Sequence, residues 1–235
     1  MKSTAEIQEF YDNDTRQKFK IRNNLRHYLI INRLLKAGLK SDSKVLEIGC
    51  GNGGVTKLIA ERTKKGKVTA VDISQECIVA AKANLKSFSN IEYFVTDMSD
   101  FSSDHTFDII VLPDVLEHIP LEQHDTLFKN LSRVLSLNGF IFIHIPEPKC
   151  LEWATKTMPE KLQIVDQPIH TDRLTSVTYK HGLYLKEMKS YRMFNEYEDY
   201  QYLIFTKREA TYNYKTIPTW KVISKKWYYI FTNQL

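Results

Sequence analysis

The sequence predicts an α/β fold: a doubly wound, mostly parallel seven-stranded sheet, preceded by a helical N-terminal cap and closed by an antiparallel C-terminal hairpin. Three observations carry this prediction. From residue 44 to residue 146, short strand-like apolar runs alternate with helix-length segments, the rhythm of βαβ units. A glycine-rich turn, "GCGNGG" at 49–54, follows the first of those runs, where open α/β sheets hold their ligands. After residue 150 the rhythm changes, and two strand-like runs face each other across an acidic turn.

In chain order, Leu25, Leu29, Ile30, Leu34 and Leu35 recur at helical spacing, and Gly38 supplies a C-cap. "KVLEIG" is the first strand, and "GVTKLIAERTKK" a helix closed by Gly66. "KVTAVD" is the second strand, and "SQECIVAAKANLKSF" a helix with Ser74 as its N-cap. "IEYFVTD" and "FDIIVLPD" are the third and fourth strands. "LEQHDTLFKNLSRVLSLNG" reads as a helix ending at Gly139, and "FIFIHIP" as the fifth strand. "TSVTYKHGL" is a short helix ending at Gly182, and "YLKEMKSYRMF" and "DYQYLIFTKRE" form a hairpin through "NEYE". The expectation is one domain over 1–235, with a cap over 1–40, a core over 41–206 and a basic aromatic tail over 207–235.

The chain of 235 residues can bury one sizeable core. It contains no run of eighteen apolar residues, so no membrane span is expected. The polar N-terminus lacks a secretory h-region, and three cysteines without metal spacing read as reduced thiols, which points to the cytoplasm. Of the formal net charge of +5, the excess sits at the two ends, and the middle is acidic. Basic ends are more often solvated faces than binding sites, so nucleic acid is not the expected partner.

The glycine turn fits two patterns. Gly49, Gly51 and Gly54 make GxGxxG, the dinucleotide fingerprint, whereas Glu47, Gly49, Gly51 and Gly53 make ExGxGxG. Glycines allow a sharp turn and a close ligand approach in either case. Asp72, at the end of the second strand, can accept both hydroxyls of a ribose and does not separate the two. Three features do: an acid, Glu47, inside the first strand; Asp97 at the end of the third, placed to accept from an exocyclic adenine amine; and the closing hairpin. With these, residues 40 to 206 resemble the class I S-adenosylmethionine-dependent methyltransferases, a Rossmann-like family.

The resemblance implies that Glu47 lies near the methionine end of the cofactor. It implies that Gly49, Cys50, Gly51 and Gly53 form the loop around it, and that Asp72 and Ile73 hold the ribose. Asp97 and Met98 match the adenine positions, and Pro113 opens the segment "LPDVLEHI" that passes under the methionine moiety. In several small-molecule relatives an N-terminal aromatic helix forms a lid, a role that falls to Tyr11 with Phe10 beneath it. A surface aromatic on an amphipathic helix is the plain alternative.

Methyl transfer displaces a neutral leaving group, so the protein must align the nucleophile and, for a hydroxyl, remove its proton. His170 and His118 are the candidate bases, with His144 third; His27, His105, His124 and His181 read as surface or packing residues. Asp114, Glu117 and His118, with His170 downstream, partly resemble the metal-dependent 2′-O-methyltransferases of small-RNA ends and some quinone-ring enzymes. That implies a magnesium or manganese ion on Glu117, His118 and His170. An N-cap role for Asp114 is the plain alternative.

The expected activity is O-methylation of a small hydroxylated acceptor: a sugar, a glycan precursor or a quinone-like ring. N-methylation of a small amine and a non-catalytic cofactor-binding subunit are the alternatives. The tail carries seven aromatics from Tyr212 to Phe231 and is expected to pack on the domain or form a homodimer contact.

Overall fold

The computed structural model describes residues 2–17, 19–207 and 216–232. Its elements are α1 (Thr4–Gln17), α2 (Leu25–Ala37), β1 (Lys44–Ile48), α3 (Gly54–Arg62), β2 (Lys67–Asp72), α4 (Gln75–Asn84), β3 (Ile91–Val95), β4 (Phe107–Pro113) and α5 (His124–Val134). They continue with β5 (Leu135–Pro146), α6 (Pro148–Thr157), α7 (Thr171–Lys180), β6 (Leu183–Tyr191), β7 (Tyr200–Lys207) and α8 (Thr219–Phe231). The seven strands form one sheet in the order β3-β2-β1-β4-β5-β7-β6. Neighbours from β3 through β5 are parallel, and β7 runs antiparallel to both β5 and β6.

Period-two alternation splits the apolar side chains into two cores, one on each face of the sheet. Leu46, Ile48, Ile110, Leu112, Ile141 and Ile143 pack with α5 residues Phe128 and Leu131. Val45, Ile109, Val111 and Phe142 pack on the other face with Ile30 and Leu34 of α2 and Ile59 of α3. Glu47 shares the second face with Val45, so the alternation itself drives a carboxylate into the interior.

Local chemistry sets the element ends. Ser74 accepts a hydrogen bond from the Cys77 N–H, an N-cap worth about 1 kcal/mol. Gly38, at φ 125°, returns its N–H to Leu34 and Leu35 as the expected C-cap of α2. Gly182 ends α7 at φ 70°.

Two glycines have roles other than those expected. Helix α3 stops at Arg62, capped by the Thr63 N–H on Ile59 O, and Gly66 lies in the turn beyond. A Cβ on Gly66 would stand 2.0 Å from the Ser43 carbonyl oxygen, so this glycine permits two backbones to meet at the start of β2. Likewise α5 ends at Val134, and residues 135–139 belong to β5, with Leu135 opposite Phe107. Gly139 is a strand residue whose Cβ would lie 2.8 Å from the Asp108 carbonyl oxygen.

Of the tail, Tyr212 and Tyr214 lie outside the described residues. Residues 219–231 form α8, whose large apolar side chains are exposed rather than packed on the domain.

Candidate cofactor and acceptor site

The strand order reverses between β1 and β4, and the carboxyl ends of these two strands open the crevice where doubly wound folds bind ligands. The loop after β1 turns through three left-handed glycines, Gly49 (φ 74°), Gly51 (φ 54°) and Gly53 (φ 94°). The Gly49 and Cys50 N–H groups both donate to Val71 O, at 2.9 and 3.0 Å, pinning the loop to β2. A Cβ on Gly49 would come within 2.6 Å of a Val115 methyl, whereas one on Gly51 would meet nothing within 4 Å. Gly49 serves packing; Gly51 leaves space open. Asp72 organises the loop by accepting from the Gly51 N–H at 2.8 Å and the Ser74 N–H at 2.9 Å. Burial raises its pKa in spite of these bonds.

A cavity of about 300 Å³ sits over this edge. Its walls include Gly49, Gly51, Asp72, Ile73, Asp97 and Met98, and α1 forms its roof through Ile7, Tyr11 and Thr15. Helix α1 is fastened to α4 by Asp12 to Ser74, Thr15 to Cys77 and Arg16 to Glu76. Across the opening, the Tyr11 hydroxyl donates to Gln163 Oε1 at 2.9 Å, and Phe10 meets the Tyr11 ring edge-on. Met98 is buried at φ 67°, its carbonyl held by the Asn130 side chain at 2.9 Å.

A second cluster begins where β4 ends. Asp114, at φ 55°, does not cap a helix; its carboxylate forms an ion pair with Arg26, Oδ2 3.0 Å from Nε, and lies 2.6 Å from His144 Nδ1. His144, fully buried in β5, also contacts the Tyr191 hydroxyl through Nε2 and stacks on Tyr200. Burial opposes ionisation of Asp114, but His144 and Arg26 outweigh it and hold its pKa below the ordinary value. Glu117 is buried with Oε2 unpartnered, and burial pushes its pKa up to about 8. His118 lines the cavity with Nδ1 2.6 Å from Val165 O and 3.2 Å from Asp166 Oδ1. Burial works against its charge, yet Glu117, Asp166 and the Val165 carbonyl raise its pKa to about 9.

The structure brings Tyr11, Gly49, Gly51, Asp72, Ile73, Asp97, Met98 and His118 to one cavity. Cys50, Gly53 and Pro113 shape the surrounding backbone without lining it; a Cβ on Gly53 would meet Leu85 at 2.8 Å. Glu47 is sealed behind the loop with neither carboxylate oxygen hydrogen-bonded, and burial raises its pKa to about 8.

His170 corrects an expectation. It is the exposed N-cap residue of α7, its Nε2 2.9 Å from Glu152 Oε1, and it is not part of the cavity wall. The expected metal set of Glu117, His118 and His170 is therefore not assembled. Among the described residues no group of three His, Cys, Asp or Glu side chains could hold a metal ion. His144 is likewise shut away from the cavity. The sequence reading passed over Arg26, Tyr191 and Tyr200, which converge on Asp114 and His144 from α2, β6 and β7.

Residues 45–139 match the family model of the methyltransferase domain. An (S)-coclaurine N-methyltransferase of Thalictrum flavum subsp. glaucum is 26% identical over 110 residues, 46% of this chain and 30% of the relative. A ubiquinone biosynthesis O-methyltransferase of Pseudoalteromonas translucida is 34% identical over 88 residues, 36% of each chain. The chain thus spans about a third of the length of these curated relatives. In three dimensions the fold is similar to the N-methyltransferase NodS from Bradyrhizobium japonicum WM9, solved in complex with S-adenosyl-L-homocysteine. The TM-score is 0.65 at 22% identity, over 88% of this chain and 98% of that one. No helix among the described residues is long and apolar enough to cross a membrane. Sheet order, glycine loop, closing hairpin and the match over residues 45–139 together support a class I S-adenosylmethionine-dependent methyltransferase domain.

Proposed function

We propose that the protein transfers the methyl group of S-adenosylmethionine to a small acceptor seated beneath α1, and that the acceptor's nucleophile is an amine. The residues fit the cofactor. The space beside Gly51 is open, and Glu47 offers buried carboxylate oxygens without a partner. Asp72 would take the ribose hydroxyls and Asp97 the adenine amine, with Gly49, Gly51 and Glu47 toward the methionine end. When bound, the cofactor supplies an electrophilic methyl on a positively charged sulfur. The chain's own work is to hold the acceptor in line and to keep water out under the roof of α1.

One observation carries the choice of nucleophile: beyond the two aspartates given to the cofactor, Asp14 and Asp114 line the cavity, and among the described residues no Lys or Arg does. Such a wall attracts a cationic amine and repels carboxylates and phenolates. A neutral hydroxyl would need a base, and His118 keeps its proton up to about pH 9. An amine in its free-base form attacks without a base and sheds its proton after transfer, whereas Glu117, raised to about 8, is itself protonated near neutral pH. The sequence-based expectation of a hydroxylated acceptor stands as the second reading, supported by the place of His118 in the cavity wall. There it would act as base only in its neutral form, so turnover would climb as pH passes about 9.

The test begins with calorimetric titration of S-adenosylhomocysteine. It continues with thioether release from S-adenosylmethionine over a panel of small amines, neutral diols and carboxylates. Turnover with amines supports the proposal. A preference for diols or carboxylates refutes the amine. Cofactor binding without turnover on any acceptor points to the non-catalytic subunit.

A further inference from the structure

Helix α8 (Thr219–Phe231) takes no part in the site just described. At about 3.6 residues per turn, Trp220, Ile223, Trp227, Ile230 and Phe231 fall within an arc of about 100°. All five are exposed, Trp220 and Phe231 most of all, at 65% and 79%. Lys221 and Lys225 lie on the opposite side with the exposed Val222 and Tyr228, Lys226 sits at the boundary, and the helix contains no acid.

We infer that α8 is an in-plane anchor for an anionic lipid surface. Charge complementarity and the continuous aromatic and aliphatic face select this occupant. An interfacial helix buries an aromatic and aliphatic face just below the headgroups and keeps its lysines among lipid phosphates. Tryptophan favours that boundary, where a polar N–H and an apolar ring are both accommodated. Single-stranded nucleic acid, which stacks bases on aromatics beside phosphate-binding lysines, is the occupant the test must separate, because Lys221 lies over the Trp220 ring at 5.4 Å. A second copy of α8 would bring two Lys226 side chains to the edge of the seam with no acid in either helix to pair them. The helix is too short to span a bilayer. Lys207, Arg208 and Lys215 add positive charge on the N-terminal side of α8.

The test uses the full chain with two kinds of vesicle, phosphatidylcholine alone and phosphatidylcholine with about a third phosphatidylglycerol. Co-sedimentation is expected with the second and not the first. Tryptophan emission should shift to the blue on binding, and should still do so in Trp153→Phe, which removes the tryptophan of α6. The double change Lys221→Glu with Lys225→Glu should weaken partitioning at least tenfold, at about fivefold for each lysine brought to an anionic surface. Trp220→Ser with Trp227→Ser should abolish the blue shift while thermal melting of the core stays unchanged. Failure to bind either vesicle overturns the inference. So does equal binding to both, or concentration-dependent dimerisation or oligonucleotide binding that the tryptophan variants abolish without any vesicle binding.

Discussion

Replacing Gly51 with alanine separates the fold from its ligand. Gly51 lines the cavity at φ 54°, and the space a Cβ would enter holds no atom within 4 Å. The variant therefore bears only the cost of a left-handed alanine, about 1–2 kcal/mol. For a domain of this size that lowers Tm by roughly 2–8 °C. Gly49→Ala is the control, since its Cβ would stand 2.6 Å from a Val115 methyl. Overpacking adds about 1–3 kcal/mol to the same backbone cost, and Tm should fall by roughly 4–20 °C. The ligand effect runs the other way. In G51A the new methyl occupies the space assigned to the cofactor, and S-adenosylhomocysteine affinity should fall at least tenfold, about 1.4 kcal/mol. Differential scanning fluorimetry and calorimetric titration on the same preparations give both quantities. If G51A binds the thioether as the parent does, the cofactor does not lie against this loop, and the assignment of the cavity fails.

Glu47 ionises near its ordinary value of 4.5 in the unfolded chain but only near 8 in the fold, because it is buried. The native state keeps a proton that the unfolded chain has lost, so the contribution to stability is full below about pH 4.5 and is lost as pH rises toward 8. Glu117 and His118 slope the same way. Without ligand, Glu47→Gln should flatten the fall of Tm between pH 5 and pH 8, by roughly 2–4 kcal/mol over the range; a curve parallel to the parent's would show Glu47 ionised in the fold. Tyr191→Phe removes the hydroxyl from His144 Nε2, leaving a buried nitrogen unpaired, and should cost about 1–3 kcal/mol in urea unfolding. His170→Ala should change stability by less than about 0.5 kcal/mol and leave turnover intact, since the side chain is exposed and outside the cavity. A large loss of turnover would return His170 to the chemistry.

The fold was legible where one residue type has one local job. Ser74 could only begin a helix and Gly38 could only end one, and both did so. Gly66 and Gly139 looked the same on paper, but each permits a contact with a distant carbonyl, which no local pattern carries. Gly49, Gly51, Asp72 and Asp97 stand at or just after the carboxyl ends of β1, β2 and β3, so the strand-helix rhythm alone brings them to one edge of the sheet. The polar cluster behind Asp114 comes from places far apart. Arg26, Asp114, His144, Tyr191 and Tyr200 meet only because α2 packs on the sheet and β7 enters between β5 and β6. His170 lies outside the cavity wall for the same reason: it follows a loop whose direction is set by tertiary contacts, and its ring turns outward to Glu152.

The place of β7 has a consequence for the chain as it is made. Among the described residues, the last strand in sequence is an interior strand of the sheet, bonded on one side to β5 and on the other to β6. Until it emerges from the ribosome, β5 presents an unsatisfied edge along Phe140–Ile145, an apolar stretch that invites pairing with another nascent chain. Five parallel strands can assemble early, but the sheet becomes a sealed object only when residues 200–207 arrive. Synthesis halted before that point should yield a sticky half-product rather than a smaller working domain.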